Sequence, residues 1–195
     1  MRSAHVLLLA GGIVALCLGS VQSGAGQEKQ KEKKGAVVKL DGLESRVPAD
    51  WQEEPPTNRT RVKQFRLSPI ADDKDNAEVI IFYFGEGQGG SAEDNIKRWK
   101  GFFVPPEGKK IDDVAKVEKM KVGDVPVTYL DIHGTYSFRF PPFDPQAKTT
   151  LRPNYRMLGV VFESKKGPYF VRIIGPADTV AFYKKGFDEW IKGFK

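Results

Sequence analysis

Few side chains in this sequence have the chemistry for a reaction. Asp131 and His133 stand two residues apart in the apolar run Val127–His133. On a strand that spacing puts both on one face, where a carboxylate can orient an imidazole as general-base chemistry requires. Ser137, four residues further on, joins them only if the chain bends at Gly134. Neither a G-x-S-x-G elbow nor an H-E-x-x-H helix accompanies them. A hydrolase-type enzyme using Asp131 and His133 is therefore the alternative to a strand histidine that is exposed or hydrogen-bonded. The second histidine, His5, and the single cysteine, Cys17, both fall in the first 25 residues.

Two further segments invite ligand chemistry. Gly85-Glu86-Gly87-Gln88-Gly89-Gly90-Ser91 has the G-x-G-x-x-G spacing and precedes a helical pattern, so its backbone N–H groups could approach a phosphate. A dinucleotide site needs a parallel βαβ unit, whereas the surrounding sequence reads antiparallel, and Glu86, Glu93 and Asp94 set negative charge where the anion would lie. A connection ending in a helix cap is the expectation. Asp72-Asp73-Lys74-Asp75-Asn76-Ala77-Glu78 offers clustered oxygens, but Ala77 and Glu78 fall where a calcium loop carries an oxygen ligand and its turn glycine. The expectation there is a solvated turn between strands, and no metal or cofactor is expected at either segment. Asn58-Arg59-Thr60 matches a glycosylation sequon, which matters only in a eukaryotic secretory pathway.

The segment Tyr136 to Arg156 carries a different kind of signal. Tyr136, Phe138 and Phe140 alternate onto one face. Pro141-Pro142-Phe143-Asp144-Pro145 then opens what reads as a long loop, closed by Arg152-Pro153-Asn154-Tyr155-Arg156. Long loops are often functional, and aromatic and arginine side chains dominate binding hot spots. Tyr136, Phe138, Phe140, Phe143, Arg152, Tyr155 and Arg156 form the candidate binding surface; the competing expectation is aromatics that cap a sheet beside a mobile loop.

The elements that hold these residues begin after an N-terminal segment with the grammar of a secretory signal. Arg2 precedes the apolar run Val6–Leu18, and Ser23 and Ala25 are small at −3 and −1, so cleavage is expected after Ala25. The run is shorter than the roughly 20 residues of a membrane span and is interrupted by Gly11-Gly12. Cys17 would make the chain a lipoprotein, but Leu16 is not the small residue that lipidation wants before the cysteine. Cleavage at Ala25 leaves no thiol, which removes disulfides, thiolate metal sites and a cysteine nucleophile together. Gln27–Lys34 has no apolar residue, so residues 26–36 read as a charged, disordered linker. The formal charge of +6 loses one unit with Arg2 and two with that tail, leaving a mildly basic domain with its acids interspersed. No nucleic-acid footprint follows from that pattern.

From residue 37 to 195 the pattern is one domain rich in strands. Strands are expected at Gly42–Pro48, Val62–Leu67, Glu78–Phe84, Val114–Val122, Val127–His133, Tyr136–Phe140, Met157–Glu163 and Tyr169–Ile174. Gly123-Asp124 suits a two-residue type II′ hairpin and Ser164–Gly167 a polar turn, both of which require antiparallel neighbours. One helix is expected from the N-cap Ser91, with Ala92, Ile96, Trp99 and Phe103 at helical spacing. Another starts near Pro176, with Val180, Tyr183, Phe187, Trp190, Ile191 and Phe194 on one stripe. No internal repeat is evident. The fold class is α+β, an antiparallel β-sheet packed against helices.

That order of elements, with Val47-Pro48-Ala49-Asp50-Trp51 ending the first β-run, Trp99 on the first helix and two strands feeding a C-terminal helix, resembles the Mog1/PsbP-like superfamily over roughly residues 40–195. The stretches Phe84-Gly85 to Trp99 and Pro153 to Gly175 are also similar to those of a group of uncharacterised exported bacterial proteins. The resemblance implies accessory or binding roles rather than catalysis, and it carries over no functional residue. The sequence thus points to an exported, periplasmic or secreted, non-catalytic module that binds a protein partner or small ligand in the envelope, with a lipid-anchored accessory protein as the variant that Cys17 would create.

Overall fold

The structure is a computed structural model and describes residues 34–139 and 146–195. The segment 1–25 with Cys17, all but the end of the 26–36 linker, and Phe140 and Phe143 lie outside the described residues.

The described elements run β1 (Val37–Leu40), β2 (Leu43–Arg46), β3 (Gln52–Glu54), β4 (Arg61–Leu67), β5 (Ala77–Tyr83), α1 (Ala92–Lys100), β6 (Phe103–Val104), β7 (Ala115–Val122), β8 (Val125–Arg139), β9 (Thr149–Phe162), β10 (Tyr169–Pro176) and α2 (Ala177–Lys192), with one 3-10 turn at Ile111–Asp113. β1 and β2 form a separate hairpin. The main sheet has the order β3-β4-β5-β10-β9-β8-β6, and β7 also pairs with β8. Every pairing is antiparallel, so the chain is an α+β protein with an antiparallel sheet and two helices.

The local signals explain these boundaries. Val122 pairs with Val125 across Gly123-Asp124. Of the two turn residues only Gly123 has positive φ (57°), which matches type II′. Ser91 caps α1, its side chain accepting from the Asp94 N–H, and Lys97, Arg98 and Lys100 sit in the last turn against the negative end of the helix.

Side-chain alternation on each strand divides the core between two faces. On one face Val79, Ile81, Val127, Tyr129, Leu158, Val160, Val171 and Ile173 pack under the α2 stripe Val180, Tyr183, Phe187, Trp190 and Ile191, with Trp51 and the β1–β2 hairpin completing the layer. On the other, Leu130, Ile132, Met157, Val161 and Phe170 pack under Ile96 and Trp99 of α1. α1 has nine residues against sixteen in α2. Beside it Phe82, Phe102, Tyr136 and Phe138 stay partly exposed.

The structure departs from the sequence expectation at the long β8–β9 hairpin. The expected strand Val127–His133 and the described part of the next, Tyr136–Arg139, belong to one fifteen-residue strand. The expected loop end Arg152–Arg156 lies within β9, which begins at Thr149. Pro153 is tolerated because it stands at a register irregularity: Tyr155 pairs with Gly134 and Arg152 with Tyr136, leaving Pro153 and Asn154 together opposite Thr135. Asn154 adopts φ 55° there. At such a bulge the missing N–H breaks no ladder bond. The short strands β1, β3 and β6 were also not expected, and Phe103, expected on the first helix, lies on β6 because α1 ends at Lys100 with Gly101 as its C-cap.

Candidate binding surface

The far end of the β8–β9 hairpin gathers four of the expected surface residues on the α1 face. Tyr136 stacks on its neighbour Tyr155 (centroids 5.9 Å, interplanar angle 15°) and leans on Phe138 at 6.2 Å. The Arg152 guanidinium lies 4.2 Å over the Phe138 ring and 5.8 Å from the Tyr155 ring. Tyr155 donates its hydroxyl proton to Asp75 at 2.8 Å, anchoring the β9 end to the β4–β5 turn. Burial raises the Tyr136 and Tyr155 pKa values, and at Tyr155 the bond to Asp75 adds to the effect. Both rings are thus neutral hydrogen-bonding platforms. Among the described residues no carboxylate pairs with Arg152, whose guanidinium is seated on the aromatic rings.

Two arginines that the sequence did not single out extend this face. Arg172 lies on β10 with its guanidinium carbon 5.0 Å from the Phe82 centroid and 5.8 Å from that of Phe102. Arg61 lies over the same Phe82 ring at 5.7 Å. A register shift between Arg61 and Lys63 pairs Arg61 with Phe82, whereas Lys63 pairs with Ile81. Without that bulge, alternation would send Arg61 to the α2 face. One signal was readable for Arg172: a lone charge inside the apolar run Tyr169–Ile174. For Arg61 there was none, since a bulge leaves no mark in residue type.

Arg156 lies on the other face. It forms a two-pronged pair with Asp131, Nε at 2.8 Å and Nη2 at 2.6 Å, and that hydrogen-bonded charge raises its pKa further. The Asp131 carboxylate is thereby turned to Arg156. His133 is exposed, and among the described residues no hydrogen bond reaches its ring. β8 continues through Gly134, so Ser137 stands roughly 13 Å along the strand from His133. Nearby, a groove of about 300 Å³ is lined by Lys116, Tyr129, Asp131, Lys184, Asp188 and Lys192. Its acids are engaged: Tyr129 donates to Asp188 at 2.7 Å, Lys184 pairs with Asp188 at 2.5 Å, and Glu118 pairs with Lys116 at 2.6 Å.

The other candidate segments serve the fold. The Ser91 hydroxyl donates to Asp94 at 2.6 Å, and the Asn95 amide donates to the Gly89 and Ser91 carbonyls at 2.9 and 2.8 Å, closing the glycine-rich connection onto α1. Its strand β5 has antiparallel neighbours on both sides. In the acidic turn, Asp73 accepts from the Thr179 N–H and hydroxyl at 2.9 and 2.6 Å, capping α2 from outside the helix, while Asp75 serves Tyr155. Asn58 accepts from Thr60 and Arg61 and closes the β3–β4 turn.

No family model matches the chain, and no curated protein matches it significantly. Among solved structures it is similar to cyanobacterial PsbP (CyanoP) of Synechocystis sp. PCC 6803, at 17% identity and a TM-score of 0.48, covering 91% of this chain and 98% of that one. It is also similar to PA94 of Pseudomonas aeruginosa, a protein of unknown function, at 10% identity and a TM-score of 0.43, covering 80% and 93%. These similarities concern the course of the chain and carry no function with them. No helix among the described residues is long and apolar enough to cross a membrane.

Proposed function

We propose that the protein is an exported, non-catalytic binding or assembly domain that engages an acidic segment of an envelope protein through Tyr136, Phe138, Arg152 and Tyr155. The observation that carries this reading is Arg152, fixed 4.2 Å over Phe138 with no carboxylate partner among the described residues. A cation immobilised on aromatic rings has already lost much of the side-chain freedom that binding would otherwise take away, which favours a charged partner group. The state of Asp131, turned to Arg156 rather than to His133, supports a role without acid–base catalysis. In this reading residues 1–25 act as the removable signal, and intact-mass analysis of protein from its native cells should give a mature chain that starts at Gly26.

The test is affinity capture from the native envelope with wild type, with Arg152→Ala combined with Phe138→Ala, and with His133→Ala. Loss of a captured partner in the double variant, with full retention in His133→Ala, is the expected result. Equal capture by all three would contradict the surface.

A further inference from the structure

Arg172 is a charged side chain in a place where charge is costly. It projects from β10, a strand between two others, onto the α1 face; its Nε is buried with no hydrogen-bond partner, and no carboxylate lies within ion-pair distance of it among the described residues. Arg61 shares the Phe82 ring with it and also buries an Nε without a partner. The remaining polar neighbours do not settle the balance. Glu78 is half-exposed and approaches only Arg61, at 4.0 Å, and Gln64 accepts from Arg61 Nη1 at 2.9 Å. Burial, then the like charges of Arg61 and Arg98, depress the Arg172 pKa to about 10 against the pull of Tyr136 and Glu78. A buried guanidinium N–H left without an acceptor is unfavourable unless something supplies one. Arg172 is only partly buried as a residue, so part of it stays accessible to solvent.

We propose that Arg172, aided by Arg61, forms a binding site for a phosphate group, walled by Phe82 and Phe102. Tetrahedral oxyanions present several acceptors to a guanidinium fork, and a dianion balances the charge of Arg172 together with that of Arg61, which shares the Phe82 ring with it. The strand bulge that turns Arg61 onto this face is a device of the kind that re-aims a side chain toward a site. The site adjoins the Arg152 surface, since Phe102 packs edge-on to Tyr136 at 6.5 Å, but it uses different cations, and neither Arg172 nor Arg61 lies over the Phe138 ring.

Calorimetric titration of the whole protein with inorganic phosphate at low salt tests it. The wild type should saturate at one phosphate per chain in the range of about 1 mM. Arg172→Gln should weaken binding by about tenfold or more, and Arg61→Gln by roughly threefold. Arg59→Gln, an exposed change outside the site, should leave it unaltered. Sulfate should compete and acetate should not. If Arg172→Gln does not fold, Arg61→Gln decides. Glycerol 3-phosphate and vesicles containing phosphatidic acid, titrated in parallel, distinguish a soluble phosphomonoester from a lipid headgroup. Absence of phosphate binding by the wild type, unchanged binding in the arginine variants, or acetate binding as tight as phosphate would each overturn the assignment.

Discussion

Trp99 of α1 rests directly on the backbone of Gly159 in β9: a Cβ at Gly159 would lie 2.5 Å from Cε3 and Cζ3 of the indole. That contact sets how closely α1 approaches the sheet, and it explains a glycine inside an otherwise apolar strand. Gly159→Ala is expected to destabilise the protein by about 1–3 kcal/mol, because a methyl group must push the ring out of a filled core. Chemical denaturation measures this. Combining it with Trp99→Leu should cost less than the sum of the single changes, since the clash partner is gone.

Asp73 caps α2 from the β4–β5 turn through the Thr179 N–H and hydroxyl. Asp73→Ala should cost about 1 kcal/mol and Asp73→Asn less, as asparagine also caps. Thr179→Ala in the Asp73→Ala background should add little beyond the lost packing of its methyl, because the shared bond is already broken. Thermal unfolding of the four proteins reads both effects.

Tyr129 links the sheet to α2 through Asp188, and burial, then that hydrogen bond and charge, raises its pKa above the ordinary value of 10.0. The folded state therefore keeps a proton that the unfolded chain releases. The stabilisation is complete below about pH 10 and declines as pH rises beyond it, because the native state then binds more protons than the unfolded one. Tyr129→Phe should lower stability at neutral pH by about 1 kcal/mol and make the decline above pH 10 shallower than in wild type. Denaturant midpoints across the alkaline range check both the size and the slope.

Much of the fold was legible because its signals are local. Ser91 ahead of Glu93 and Asp94, the Gly123-Asp124 turn, and the α2 stripe from Val180 to Ile191 each fix an element from a few neighbouring residues. The β8–β9 hairpin was obscured because Pro153 argues against a strand unless a bulge removes the need for its N–H, and the bulge exists only through pairing with Thr135. The same bulge divided the candidate surface. In an unbroken strand Arg152 and Arg156 would share a face; the extra residue at Pro153–Asn154 changes the alternation, so Arg152 joins Tyr136 and Tyr155 while Arg156 turns to Asp131. Arg61 reached its place by the same route. Residue types announced which side chains suit binding, and long-range register decided which of them meet.

The most direct test of the proposed surface compares its face with the opposite one. A photo-crosslinking amino acid placed at Phe138, beside Arg152, and separately at Phe182, exposed on α2, can be irradiated in protein expressed in its native cells. The account predicts a discrete crosslinked partner from position 138 that disappears with Arg152→Ala, and none from position 182. A partner captured from position 182 alone, or a crosslink at 138 indifferent to Arg152, would contradict it.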